Sequence, residues 1–322
     1  MTGKQRSTAI VTGATSGLGF ETAAQLAEQG YSRVITTGRS DAKISDAVSR
    51  LEDRSGLDVF EPLVLDNHDL ATVEAAVAEL ARRGGTIDVA ILNAGMAPRK
   101  ELTKTPTGLE ATIASTLIGH HLLTIRLFER DLLAADAGIV IAGSEAARGD
   151  VPTFHPVDLE AFAAEYFDGD IEAAIGAQVR MEAPATYKPS DTYATAKLFV
   201  AWWAAELSRM LPEGMTVNAV SPGSTPETNA IDNAPFYMRK LMIPLFKLMP
   251  GMSHSVADGA ARYLEVAERN SGVTGKFYAS PPKKMTGQLT EVNVPHLENA
   301  AAQRAVWKVT SEAAGVAYPL AN

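Results

Sequence analysis

With 322 residues, the chain is long enough to bury the core of one large α/β domain or two small ones. Its residues are 46% hydrophobic and 21% charged, and a formal net charge of −9 without a long run of Lys or Arg excludes nucleic acid as a partner. The absence of cysteine removes disulfides, thiolate chemistry and Cys-ligated metal.

The first residues carry Lys4 and Arg6, and the apolar run behind them is broken by Thr12, Gly13 and Ser16. A strand and turn break in this way, and a signal segment does not. No stretch approaches the ~18 apolar residues of a spanning helix. The expectation is a cytoplasmic protein with no transmembrane segment.

The run Ala9-Ile10-Val11 leads into Thr12-Gly13-Ala14-Thr15-Ser16-Gly17-Leu18-Gly19 and then into an amphipathic pattern over 20–29. This predicts a strand, a tight turn and a helix N-terminus. Gly13 supplies backbone angles closed to other residues, and Gly17 and Gly19 let a ligand or a neighbouring strand approach the helix. N–H groups at the helix start, with its dipole, favour an anion such as a pyrophosphate. The spacing is Gly-x-x-x-Gly-x-Gly, which departs from the Gly-x-Gly-x-x-Gly of most dinucleotide folds.

Thr12 to Gly19 resembles the cofactor turn of the short-chain dehydrogenase/reductase family. The rest of the chain fits. Strand-like runs at 33–37, 59–65, 88–92 and 138–142 alternate with helical patterns at 43–54, 70–82 and 108–133. Further strands are expected at 215–220 and 276–278, with a helix at 255–269. The expected fold is one α/β domain over 1–322, a Rossmann-like doubly wound parallel sheet of about seven strands with helices on both faces. Ligands of such sheets bind at the carboxyl ends of the strands.

After the second strand an NAD-type site places an acid, but this chain has Gly38-Arg39-Ser40. A guanidinium suits a 2′-phosphate, so NADP(H) is preferred, with NAD(H) as the alternative. After the third strand, Asp66 and Asn67 match the family's adenine-side position, and after the fourth, Asn93, Ala94 and Gly95 match its turn beside the cofactor. The family's fourth helix often carries an asparagine associated with a proton-relay water. The equivalent here is Thr116, which puts that role in doubt.

The fifth strand ends in Gly143-Ser144-Glu145, and in the family this serine bonds the substrate oxygen. An insertion over 146–190, with helical patterns at 159–167 and 171–179, resembles those of retinol dehydrogenases and protochlorophyllide reductases. Then come Tyr193 and Lys197, one turn apart on a helix expected to run to about Leu211. The resemblance implies that Ser144, Tyr193 and Lys197 are catalytic. Tyr193 is the proton donor and acceptor, Lys197 lowers its pKa and bonds the nicotinamide ribose, and Ser144 orients the substrate. Pro222, Gly223 and Thr225 match the loop at the nicotinamide end, completing a cofactor set with Thr12, Gly13, Thr15, Ser16, Gly17, Leu18, Gly19, Arg39, Asp66, Asn67, Asn93, Ala94, Gly95, Tyr193 and Lys197.

The apolar segment 236–252 reads as an interior helix pair or a lid over an apolar site, and a helical tail is expected at 297–316. No metal site is expected, because the adjacent His120 and His121 point to different faces of a helix and are assigned no role. The expected activity is hydride transfer between NADP(H) and a bulky apolar alcohol or carbonyl. Alternatives are reduction of a carbon–carbon double bond and a catalytically silent dinucleotide sensor. The partner is a small-molecule substrate, and the resemblance allows a homodimer paired through the fourth helix and the Tyr193 helix.

Overall fold

Uninterrupted apolar runs, rather than alternating ones, mark strands covered on both faces. In the computed structural model, which describes residues 7–225, 253–268 and 272–317, these runs form the sheet. The strands are β1 (Thr8–Val11), β2 (Arg33–Gly38), β3 (Phe60–Val64), β4 (Ile87–Leu92), β5 (Leu133–Ala142), β6 (Thr216–Val220), β7 (Phe277–Ala279) and β8 (Thr290–Glu291). They lie in the order β3-β2-β1-β4-β5-β6-β7-β8. Ile10 of β1 sits between Ile35 of β2 and Ala90 of β4, and all pairings are parallel except β7 with β8. The chain winds outward from β1 to β3, then crosses back to β4, so the switch point lies between β1 and β4.

Two differences from the sequence reading have physical causes. An eighth strand is present, a two-residue antiparallel edge that pairs Thr290 with Ala279 and is too short to leave a sequence pattern. The single helix expected at 108–133 is α4 (Ala111–Ile113), a π-helical turn (Ala114–Ile118) and α5 (Gly119–Glu129). The tail of that pattern belongs to β5, because Leu133 already pairs with Ile87 and the register then shifts before Val89.

Helices α1 (Gly17–Glu28), α2 (Asp41–Ser55) and α9 (Val256–Glu268) cover one face of the sheet, through Ala23, Leu51 and Tyr263. The other face carries α3 (Leu70–Arg83), α4, α5 and α8 (Pro189–Ser208), through Val77, Ile113, Leu122 and Phe199. The insertion folds as a 3-10 turn (Glu145–Arg148), α6 (Leu159–Tyr166) and α7 (Ile171–Arg180). Asp158 and Asp170 cap its two helices by accepting the N–H groups of Ala161 and Ala173.

The tail helix α10 (Ala300–Ala314) lies across α5, α7 and α8. There the Trp203 indole donates to His121 Nδ1 at 2.9 Å, and the His121 ring meets Ser311 at 3.1 Å and the edge of Trp307. Because Nδ1 accepts, the proton of this neutral ring sits on Nε2. No helix among the described residues is long and apolar enough to cross a membrane. The segment expected to form a lid, 236–252, lies outside the described residues.

Candidate active site

The glycine turn is built by close approach. Gly13 has a φ of +68°, and a Cβ on Gly19 would stand 2.4 Å from the Gly13 carbonyl oxygen and 2.6 Å from Asn93 Nδ2. No side chain fits at Gly19, so α1 starts directly against β1 and β4. Asn93 Nδ2 donates to the Thr12 carbonyl at 3.0 Å, and the Ala94 N–H donates to Thr12 Oγ1 at 2.9 Å. The Asn93-Ala94-Gly95 turn is thereby held to the glycine turn across the switch point. Thr15, Ser16, Gly17 and Leu18 wrap the N-terminus of α1, where backbone amides and the helix dipole suit a pyrophosphate.

Arg39 follows β2 directly, is exposed, and makes no ion pair with another described residue. Asp66 stays partly exposed after β3, and its Oδ1 accepts the His68 N–H at 3.0 Å. Asn67 turns inward: it is 4% exposed, and its Nδ2 donates to the Ser115 carbonyl at 3.0 Å. Its amide therefore ties β3 to the π-helical turn. Gly119 leaves the room for this, since a Cβ there would stand 2.5 Å from Asn67 Cβ.

Ser144 ends the β5 excursion, and its Oγ accepts the Ala146 N–H at 3.3 Å as the cap of the 3-10 turn. Pro189, with its fixed φ, opens α8, which presents Tyr193 and Lys197 one turn apart. The insertion is stapled to this helix, because Asp191 accepts the His155 N–H and Thr195 accepts the Val157 N–H. That places the Phe154 ring 5.8 Å from the Tyr193 ring. The Ser144 hydroxyl acts on the Tyr193 phenol and pulls its pKa down. Lys197 Nζ lies 5.7 Å from the Tyr193 ring centroid and donates to the Ala142 carbonyl at 2.6 Å. Ser144, Tyr193 and Lys197 therefore converge at the carboxyl end of β5.

The protonation state differs from the expectation of a phenol depressed by lysine. Burial pushes the Tyr193 phenol up, the Ser144 hydroxyl pulls it partly back, and the Glu145 charge pushes it up again. Burial also pulls Lys197 down to about 7, so its ammonium is only partly charged at neutral pH. Burial is the largest influence on this phenol, which is a proton donor at rest.

Pro222, Gly223 and Thr225 follow β6, with Gly223 at a φ of +78°. The His254 N–H donates to the Ser224 carbonyl at 2.7 Å, so the chain on either side of 226–252 meets beside this loop. Thr116, at the usual asparagine position, is 2% exposed with its Oγ1 unpartnered, and a Cβ on Gly95 would stand 3.2 Å from that oxygen.

Sequence reasoning missed Glu145 and Arg262, which pair across the site, and His120, which bonds Thr12. A buried Glu and a buried Arg so far apart in the chain leave no local pattern. The carboxylate next to Ser144, just past the end of β5, is the available signal.

The family model of the short chain dehydrogenases matches residues 7–156. The chain is 28% identical to a short chain dehydrogenase/reductase, dpchH, of Colletotrichum higginsianum, over 95% of this chain and 74% of that one. It is 26% identical to human retinol dehydrogenase 13, over 97% and 86% of the two chains, and 26% identical to human polyprenol dehydrogenase, over 96% and 85%. Among solved structures, an uncharacterized Mycobacterium paratuberculosis protein superposes with a TM-score of 0.67 at 24% identity, covering 98% of this chain and 96% of that one. A variant of actinorhodin polyketide ketoreductase with NADPH superposes at 0.62 and 21% identity, covering 86% and 96%, and both likenesses speak for the fold. The chain belongs to the short-chain dehydrogenase/reductase family and is similar, within it, to the retinol dehydrogenase-like branch.

Proposed function

We propose that this chain is an NADP(H)-dependent oxidoreductase that interconverts a bulky apolar carbonyl and its alcohol. The observation that carries the reading is the convergence of Ser144, Tyr193 and Lys197 at the end of β5, one strand from the Thr12–Asn93 switch point. The bound nicotinamide supplies the hydride in reduction and accepts it in oxidation. In reduction Tyr193 gives the phenolic proton to the substrate oxygen, which becomes the hydroxyl of the alcohol. Ser144 would orient that oxygen, and Lys197, one turn from the phenol and partly charged near neutral pH, would bond the nicotinamide ribose. Arg39, at the end of β2 with no acid beside it, supports NADP(H) over NAD(H). The names of two relatives, retinol dehydrogenase and polyprenol dehydrogenase, support an extended apolar alcohol or carbonyl.

The test is NADPH consumption against ketones and aldehydes of increasing chain length, with enones included. Specificity constants rise along the series on this reading, by up to ~0.8 kcal/mol per buried methylene. Preference for small polar carbonyls overturns the substrate class, and reduction of enones at the double bond overturns the reaction type.

A further inference from the structure

Directly behind Ser144 lies a buried ion pair that the proposed reaction does not use. Glu145 is 1% exposed and Arg262, on α9, is 5% exposed. The carboxylate accepts from Ser221 Oγ at 2.5 Å, from the Ser280 N–H at 3.1 Å and from Ser280 Oγ at 2.8 Å, with the guanidinium 3.7 Å away. Arg262 donates to the Ser221 carbonyl at 3.2 Å, to Gly287 O at 2.5 Å and to His254 Nε2 at 2.7 Å. Ser221 Oγ in turn accepts the Gly223 N–H at 3.1 Å. One carboxylate thus joins the residue after Ser144 to the Ser221–Pro222–Gly223 loop, to the end of β7 and, through Arg262, to α9.

A pair buried this deeply is a weak stabiliser, because desolvating both charges offsets most of their attraction. What a fully bonded buried network does provide is a single geometry. The loop it fixes is the one matched above to the nicotinamide end of the cofactor. Glu145 follows Ser144 directly in the chain, and its negative charge pushes the Tyr193 phenol up. Among the described residues, the other groups around that phenol are Ser144 beside Glu145, Lys197 on α8, Phe154 from the insertion and Tyr263 on α9, whose own phenol senses Tyr193. Lys197 is the opposing charge, and burial weakens it.

We propose that Glu145 is a positioning residue of this site: its carboxylate holds the Ser221–Gly223 loop against Ser144, and its charge sets Tyr193 to give a proton rather than take one. This rests on Tyr193 as the proton donor, and the experiment separates the two ideas. Tyrosinate absorbance, recorded as the difference between the chain and its Tyr193→Phe variant, isolates this phenol without any substrate. Repeating the titration in a Glu145→Gln background should lower its midpoint by about one pH unit, the order expected for removing a nearby charge. With the best carbonyl–alcohol pair of the panel, the alkaline rise of alcohol oxidation should move down by the same amount.

Ser221→Ala removes one bond of the clamp and leaves the charge in place. It should weaken NADPH binding several-fold by fluorescence titration, with the phenol midpoint unmoved. Should Glu145→Gln not fold, because Arg262 is left alone, Glu145→Gln/Arg262→Gln removes both charges and takes its place. An unshifted midpoint in a folded variant overturns the electrostatic half, and unchanged NADPH affinity in Ser221→Ala overturns the positioning half. If Tyr193→Phe remains active, the proton-donor reading fails while the titration result for Glu145 stands.

Discussion

The Thr12 hydroxyl and His120 Nε2 lie 2.9 Å apart, joining the first strand to the fifth helix beneath the cofactor turn. On the far side of the ring, Nδ1 is 2.9 Å from the Thr116 carbonyl, which can only accept. The proton is therefore on Nδ1, and Thr12 donates to a bare Nε2 while accepting the Ala94 N–H. A residue without apparent purpose in the sequence thus links the glycine turn, the Asn93-Ala94-Gly95 turn and the π-helical turn at Thr116. His120→Phe orphans two buried groups, each worth ~1–3 kcal/mol. Urea unfolding should show a loss of that order, accompanied by weaker NADPH binding. Unchanged stability and affinity would show that the bridge carries nothing.

Both buried histidines make the fold sensitive to acid. Burial pulls His120 and His121 from 6.5 down to about 3. Between those values the unfolded chain binds protons that the folded chain refuses, so stability falls as pH drops below ~6.5 and is flat above it as far as these groups are concerned. The slope is at most ~1.4 kcal/mol per pH unit for each ring. Unfolding midpoints measured from pH 8 to pH 4 should fall, and the His121→Gln variant should fall less steeply. Equal slopes in the two proteins would place the acid sensitivity elsewhere.

The proposed preference for NADP(H) rests on Arg39. Arg39→Asp should weaken NADPH binding by ~1.5–3 kcal/mol, the value of a charge-assisted hydrogen bond, and leave NADH nearly untouched. Calorimetric titration of both cofactors decides it, and losses of equal size for the two would reject a 2′-phosphate contact.

Tyr193→Phe deletes a single oxygen and should reduce turnover by ~10² or more with NADPH still bound. Lys197→Ala should damage both turnover and affinity. Tyr187 is no substitute, because its hydroxyl donates to the Arg99 carbonyl at 2.6 Å. Stopped-flow single turnovers separate binding from chemistry in these variants.

The sheet was legible because buried parallel strands are runs of Val, Ile, Leu and Ala, and each carries its motif just past its end. Thr12 to Gly19, Asn93 to Gly95 and Ser144 stand just past the ends of β1, β4 and β5, and Tyr193 and Lys197 one turn apart on α8, as local patterns in the sequence place them. What was illegible is contact between distant positions. Glu145 meets Arg262, His120 meets Thr12 and Asn67 meets Ser115 only after the helices dock on the sheet. The upward push on the Tyr193 phenol is illegible for the same reason, because desolvation is a property of the packed site.

The last consequence concerns self-association. The family resemblance allows pairing through the fourth helix and the Tyr193 helix, but here α10 lies over α5 and α8. Trp307 is fully buried, stacked on Trp203 with centroids 6.2 Å apart, and His121 completes the cluster. A second chain could reach that face only by displacing α10 and exposing Trp203, together with the partners of Trp203 and Ser311. Displacement is costly, since removing one such aromatic side chain from a core costs ~3–5 kcal/mol. Light scattering should therefore give no dimer built on this face, and Trp307→Ala should lose ~3–5 kcal/mol of stability in chemical unfolding. Cross-links between two copies that map to α5 and α8 in the intact protein would overturn the argument, whereas a dimer formed elsewhere would leave it standing.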